Sequence, residues 1–250
     1  MALADSLRMA RGVARSLFIY YGNRHHRAAM AELYARFVRP GDLVFDAGAH
    51  VGDRVGAFRR LKARVIAIEP QPALVRTLRI LYGADEGVAI EAMALGERVG
   101  SVELKVNLDN PTVSTASDEF VAAAHGAPGW GGQAWTRRIT VPMTTLDSLI
   151  IRHGIPRFIK IDVEGFEAQV LAGLSQPVDA LSFEFTTIQR DVALAALDRC
   201  ITLGFSRFDA ALGESQTLVH GTWRSPDVIR RWLIDLPVEA NSGDIYAVRR

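Results

Sequence analysis

Cysteine is almost missing from this chain. Cys200 is the one thiol in 250 residues, so no disulfide can close within it. Charge of one sign is missing too: 29 Lys and Arg stand against 28 Asp and Glu, a formal net charge of +1. That excludes the strong basic field of a nucleic-acid binder, and "RRW" at 230–232 and the terminal Arg249-Arg250 are too short to make a local one. No apolar run reaches the ~18 residues that a membrane span requires. Asn110 precedes Pro111, and no other N-x-[ST] site occurs for glycosylation. The arginine-bearing start, "MALADSLRMARGVARSLFIYYGNRHH", lacks a long apolar segment with a cleavage site, so no secretory leader is expected. A cytoplasmic protein without a membrane span is the expectation. Internal repeats and low-complexity tracts are absent as well. What is present is core material: 49% of the residues are hydrophobic and 23% charged, a balance that suits one globular domain.

Periodicity divides the chain. Residues 5–38 place apolar side chains three and four apart, as helices do, until Pro40-Gly41-Asp42 breaks the pattern. We expect residues 1–39 to form a helical extension and 40–250 the main domain. Beyond Gly41, short apolar runs alternate with amphipathic stretches. "DLVFDAG", "ARVIAIEP", "RFIKIDVEG" and "DALSFEFTT" read as strands; "DRVGAFRRLK", "PALVRTLRILYG", "FEAQVLAGL" and "VALAALDRCITLG" read as helices. "GVAIEAMAL", "GSVELKVNL" and "RRITVPMTT" are further strands, "LDSLIIRHG" a short helix, and "FSRFDAA" and "DIYAVRR" strands that finish the chain. Alternation of this kind predicts an α/β fold: a parallel sheet with helices on both faces.

In such sheets ligands gather beyond the carboxyl ends of the strands. Here those ends are Asp46-Ala-Gly, Glu69-Pro, Asp162-Val-Glu-Gly and Glu184-Phe, and all four carry acids. One acid could simply cap a turn; four together point to a site.

The first end has the form Asp46-x-Gly48-x-x-x-Gly52. A dinucleotide loop reads G-x-G-x-x-G and seats a pyrophosphate on a helix N-terminus. Asp46 in place of the first glycine sets a negative charge where phosphates would approach. It suits a ligand with a positive end, such as the amino group of S-adenosylmethionine. Glu69 follows Gly48 by 21 residues, where a carboxylate can accept hydrogen bonds from ribose hydroxyls. Glu69 implies a nucleoside; Asp46 chooses which.

"VFDAGAHVGD", "VIAIEPQP", "VPMTTLDSLI" and above all "FIKIDVEGFEAQVLAGL" together resemble the FkbM-type S-adenosylmethionine-dependent methyltransferases, over about residues 40 to 190. The resemblance implies a Rossmann-like class I methyltransferase fold: a seven-stranded, mostly parallel sheet with an antiparallel last strand. It implies methyl transfer to hydroxyl groups, often of sugars or natural products. Carried over, Asp46, Gly48 and Gly52 line the methionine end, Glu69 with Pro70 the ribose, Ala92 and Met93 the adenine, and Asp162 faces the transferred methyl. His50 stands where the family usually has Asn; it can still donate to a cofactor carboxylate, and it could make binding pH-sensitive.

Methyl transfer to a hydroxyl needs alignment and a base. Asp162 is the first candidate base, because burial among acids should raise its pKa. Glu184 and His125 are further candidates, and Glu164 and Glu184 could hold acceptor hydroxyls. Asp162, Glu164 and Glu184 could instead hold a hard cation such as magnesium, although their spacing does not demand a metal. Lys160 shares a strand face with Asp162 and could pair with an acid there. Glu167 reads as first-turn helix stabilisation. Residues 107–138 form a long, glycine-rich segment with Trp130 and Trp135; we expect a lid over the acceptor, with the tryptophans stacking on it or packing the lid down. The acceptor would be a small molecule, not a nucleic acid. The apolar N-terminal helices would pack on the core or form a homodimer face. Two rivals remain at this level: an NAD-type oxidoreductase on the same architecture, and a non-catalytic binding module that keeps the fold. N- or C-methylation is also open.

Overall fold

A computed structural model describes residues 3–249, and Arg24 in its backbone alone. The chain starts with two helices, α1 (Leu3–Gly22) and α2 (Arg24–Tyr34). The alternating part follows: β1 (Leu43–Ala47), α3 (Asp53–Arg60), β2 (Arg64–Ile68), α4 (Pro72–Tyr82) and β3 (Val88–Glu91). A side unit comes next, with β4 (Ala94–Leu95), β5 (Gly100–Val106), α5 (Asp118–Ala124) and β6 (Arg137–Thr144). The last part holds α6 (Leu146–His153), β7 (Phe158–Ile161), α7 (Glu167–Ala172), β8 (Ala180–Thr186), α8 (Arg190–Thr202), β9 (Arg207–Leu212), α9 (Pro226–Asp235) and β10 (Ser242–Val248).

Among the described residues, seven strands form one sheet in the order β3-β2-β1-β7-β8-β10-β9. β10 runs antiparallel to both its neighbours; the pairings of β1, β2, β3, β7 and β8 with one another are parallel. This is the class I methyltransferase arrangement, with an antiparallel last strand slotted into an otherwise parallel sheet.

Strand alternation sends side chains to two cores. Phe45, Ile159, Ile161 and Phe183 face α6, α7 and α8. Val44, Val65, Ala67 and Phe158 face α2 and α3, where Met30, Leu33, Tyr34 and Phe58 meet them. All five residues of β1 are buried, as a central parallel strand requires. α4 opens on Pro72 and buries Leu74, Val75 and Leu78. α6 is capped by the Thr145 side chain, which accepts from Ser148 N.

Two expectations change. "GVAIEAMAL" is not one strand: β3 ends at Glu91, and β4 leaves to pair with β6 in a separate three-stranded sheet with β5. Residues 107–138, expected as a lid, carry structure of their own before β6 begins. They hold a 3-10 turn (Pro111–Val113) and α5, capped by Ser117 and folded on a small core of Val113, Phe120, Ala124 and Trp130. The apolar content of this stretch explains why it packs.

Candidate active site

A cavity of about 290 Å³ opens at the carboxyl ends of β1, β2, β7 and β8. Register places its charged floor. Asp46 on β1 stands beside Lys160 on β7, and Lys160 beside Ser182 on β8. Two residues further along, on the same face, come Asp162, then Glu184 with Asp244 opposite it on β10.

Asp46 is 1% exposed, and its Oδ2 has no hydrogen-bond partner among the described residues. Burial pushes its carboxyl up to about 7, with Lys160 pulling the other way. A buried acceptor of this kind fits the ammonium of an amino-acid moiety. At the end of β2, Glu69 accepts from the backbone N–H groups of Gln71 (2.8 Å) and His50 (3.0 Å). Each carboxylate oxygen keeps a further lone pair, which fits ribose hydroxyls. Burial still lifts Glu69 to about 8, against those two N–H bonds. Pro70, Met93, Ala94 and Leu95 continue the wall past Glu69, an apolar surface that fits a nucleobase. The residues present therefore fit S-adenosylmethionine.

Some expected residues stand elsewhere. Gly48 lines the cavity, but its glycine requirement comes from the protein: φ is +81°, and a Cβ there would lie 1.7 Å from the Asp162 carbonyl oxygen. Gly52 does not line the cavity; it caps α3 at φ +84° against Tyr82. Ala92 is exposed at the turn between β3 and β4, away from the wall. His125 is exposed at the end of α5 and is not among the residues that line the cavity. Trp135 packs the segment down, its indole donating to Val113 O at 2.7 Å, whereas Trp130 lines the cavity. His50 lines it as well, beside Thr112 and edge-on to Tyr20. Burial pushes the His50 imidazole down to about 4, so it is neutral near pH 7 and gives no switch there.

The floor separates Asp162 from the two glutamates. Lys160 Nζ, itself buried, donates to Asp162 Oδ2 at 2.7 Å and lies 3.6 Å from Asp244. Burial alone would raise Asp162, but Lys160, Arg54 and a hydrogen bond with Glu184 hold it below the usual carboxylate range. Glu164 and Glu184 behave as Asp162 was expected to: burial, then the Asp162 charge, drive both well above it. One oxygen from each of the three acids lies within 4.8 Å of the others. Glu167 reaches back from the first turn of α7 to accept from Val163 N and Gly165 N, and so holds the loop that carries Glu164.

Several lining residues were not legible in the sequence. Tyr20 arrives from α1, and Arg54 from α3, where it bonds Asp53 and both oxygens of Glu214. Asn241 and Ser242 arrive from the start of β10. None sits at a parallel-strand end, the one signal that located the others. Gln71 pins the side unit over the wall, donating to Pro111 O and accepting from Ser114.

A family model described as the methyltransferase FkbM domain matches residues 46–212. The chain belongs to the FkbM methyltransferase family. Its class is thus S-adenosylmethionine-dependent methyl transfer. The chain is also similar to solved structures at low identity. A precorrin-6Y C5,15-methyltransferase from Geobacter metallireducens is 12% identical, with a TM-score of 0.46, covering 90% of this chain and 87% of its own. A 1,6-didemethyltoxoflavin-N1-methyltransferase from Burkholderia thailandensis is 14% identical, with a TM-score of 0.40, covering 100% and 91%. Aeropyrum pernix fibrillarin, with bound S-adenosylmethionine, is 12% identical, with a TM-score of 0.44, covering 85% and 68%. Among curated proteins none matches.

Proposed function

We propose that this FkbM protein methylates a hydroxyl of a small, polyhydroxylated acceptor, such as a sugar or a glycosylated natural product. The observation that carries the reading is the cluster of three floor acids, one oxygen of each within 4.8 Å of the others; Lys160 holds Asp162 low, while burial and the Asp162 charge raise Glu164 and Glu184. Bound S-adenosylmethionine supplies an electrophilic methyl on a sulfonium. Asp46 binds its amino group and Glu69 its ribose. Asp162, kept anionic by Lys160, faces the positive charge and orients that end of the cavity. Glu164 and Glu184 bind acceptor hydroxyls, and one of the pair, in its ionised form, takes the hydroxyl proton and becomes the neutral acid. A carboxylate with a raised pKa is a better base near pH 7 than one with a depressed pKa. Trp130 gives the acceptor an apolar wall. The same three acids could seat a hard cation, but Lys160 already supplies a positive charge to Asp162, so the reading needs no metal.

The test is a melting curve with S-adenosylmethionine, S-adenosylhomocysteine or NAD, then a methyl-transfer screen over a panel of sugars and glycosides. Stabilisation by the two S-adenosyl compounds and transfer to a hydroxyl are expected. Stabilisation by NAD alone would return the oxidoreductase rival. Cofactor binding with transfer only to amines or carbon would overturn the hydroxyl assignment.

A further inference from the structure

Helix α1 has two faces, and the site explains only one. Met9, Gly12 and Ser16 are buried against the protein, and Tyr20 reaches the cavity. Leu3, Leu7, Ala10, Ala14 and Phe18 recur at four- and three-residue spacing along the opposite side. Leu3 is 78% exposed and Phe18 82%. The stripe runs about 22 Å, at ~1.5 Å per residue. Arg11 and Arg15 border it, both exposed and without an ion-pair partner among the described residues. The one acid on the helix, Asp5, is taken by Arg137 at 3.1 Å. α4 is tied to α1 by a 2.8 Å bond between the Tyr21 and Tyr82 hydroxyls. It adds Ile80, 83% exposed, and Arg76 and Arg79, which also lack ion-pair partners among the described residues.

An apolar stripe bordered by unpaired arginines has a specific complement. Water does not suit it, because a contiguous apolar face of this length is uncommon on a protein that stays free. A second copy does not suit it either. An antiparallel pair centred on α1 would bring Arg11 and Arg15 of both copies together, with no acid on that face to answer them. Anionic headgroups over acyl chains match both parts. We propose that the outer face of α1, with the adjoining end of α4, docks on an anionic lipid surface. The helix lies in the plane of the interface, its stripe at the acyl boundary and its arginines among the headgroup charges. Among the described residues no helix is long and apolar enough to cross a membrane.

The full chain would be sedimented with vesicles of phosphatidylcholine, or of phosphatidylcholine mixed with phosphatidylglycerol. It should pellet with the mixed vesicles and release as salt rises. Arg11→Ala and Arg15→Ala should each weaken partition about fivefold. Leu7→Ser and Phe18→Ser should reduce it further while leaving the melting temperature with S-adenosylmethionine in place, since both side chains are exposed. Failure to pellet with anionic vesicles overturns the proposal. So does pelleting that the stripe variants do not change. A concentration-dependent dimer in light scattering, dissolved by Leu7→Ser and Phe18→Ser, would reassign the face to a second copy.

Discussion

Asp46 and Gly48 sit two residues apart and answer to different constraints. The sequence marks both, because an acid and a glycine at a strand end are unusual. It does not say what each meets. Asp46 faces the cavity with an unpartnered oxygen, and in the proposed reading it meets the ligand's ammonium. In the free protein its carboxyl titrates at about 7, and it must be ionised to receive an ammonium. Affinity for S-adenosylmethionine should therefore fall as pH drops below about 7 and level off above it. Calorimetry one unit to either side, in buffers of different ionisation heat, should show proton release on the acid side. Asp46→Asn should weaken binding about tenfold to a hundredfold, the ~1.5–3 kcal/mol of a hydrogen bond to a charged group. Gly48 meets the Asp162 backbone, so Gly48→Ala should act on the fold. A Cβ 1.7 Å from a carbonyl oxygen at positive φ forces β1 and β7 apart. A loss of ~3 kcal/mol or more is expected, read as a fall of roughly 6–12 °C in melting temperature. At the floor, Glu164→Gln and Glu184→Gln should each lower kcat by about 10²–10⁴ with little change in cofactor affinity, the range for a positioned base. Asp162→Asn should mainly weaken cofactor binding. If it lowers kcat alone while both glutamate variants stay active, the base assignment returns to Asp162.

Elements explain which parts of the site were readable. β1, β2, β7 and β8 are buried parallel strands whose apolar runs stop where the ligand begins, so their acids stood out. α9 was not read, although it carries a buried face of Ile229 and Leu233. "PDVIRRWLID" is short and broken by adjacent arginines, and the charges hid its period. The helix and small core of the segment between β5 and β6 were not legible for a related reason. Its glycines suggest mobility, but Phe120, Trp130 and Trp135 meet edge to face and give it a core of its own. Periodicity records a single face, and a three-aromatic cluster has no period. Trp135→Phe tests that packing. It removes the indole donor to Val113 O and should cost ~1 kcal/mol, or about 2–4 °C. Because Val113 lines the cavity, KM for the acceptor should rise more than kcat falls.

Taken whole, the molecule stores an excess of acid beneath its site. Asp46 and Glu167 titrate at about 7 and Glu69 at about 8; Glu164, Glu184 and Asp244 are also raised, each chiefly by burial. An acid whose folded pKa lies above its unfolded value stabilises the fold below the unfolded pKa, and that contribution is lost as pH rises through the folded one. Asp162, held low, and His50, pushed down to about 4, contribute in the opposite sense. The raised groups outnumber them. The ligand-free protein should therefore lose melting temperature between about pH 5 and pH 8, and S-adenosylmethionine should flatten that slope by placing a cation beside Asp46. A free protein that gains stability over this interval would contradict the charge assignment. This property was not legible in the sequence, where 29 basic and 28 acidic residues look balanced. The balance holds over the chain, whereas the cavity floor draws its acids from four separate strands.

The slot of β10 bears on how the protein is made. β10 fills the gap between β8 and β9 and brings Asp244 to Lys160. During synthesis every other strand of the sheet leaves the ribosome first. Until residues 242–248 emerge, β8 and β9 carry unpaired edges and cannot pair with each other in their final positions. The nascent chain is thus exposed to aggregation until that strand emerges, and a product ended at residue 241 should be insoluble although it contains Asp46, Glu69, Asp162 and Glu184.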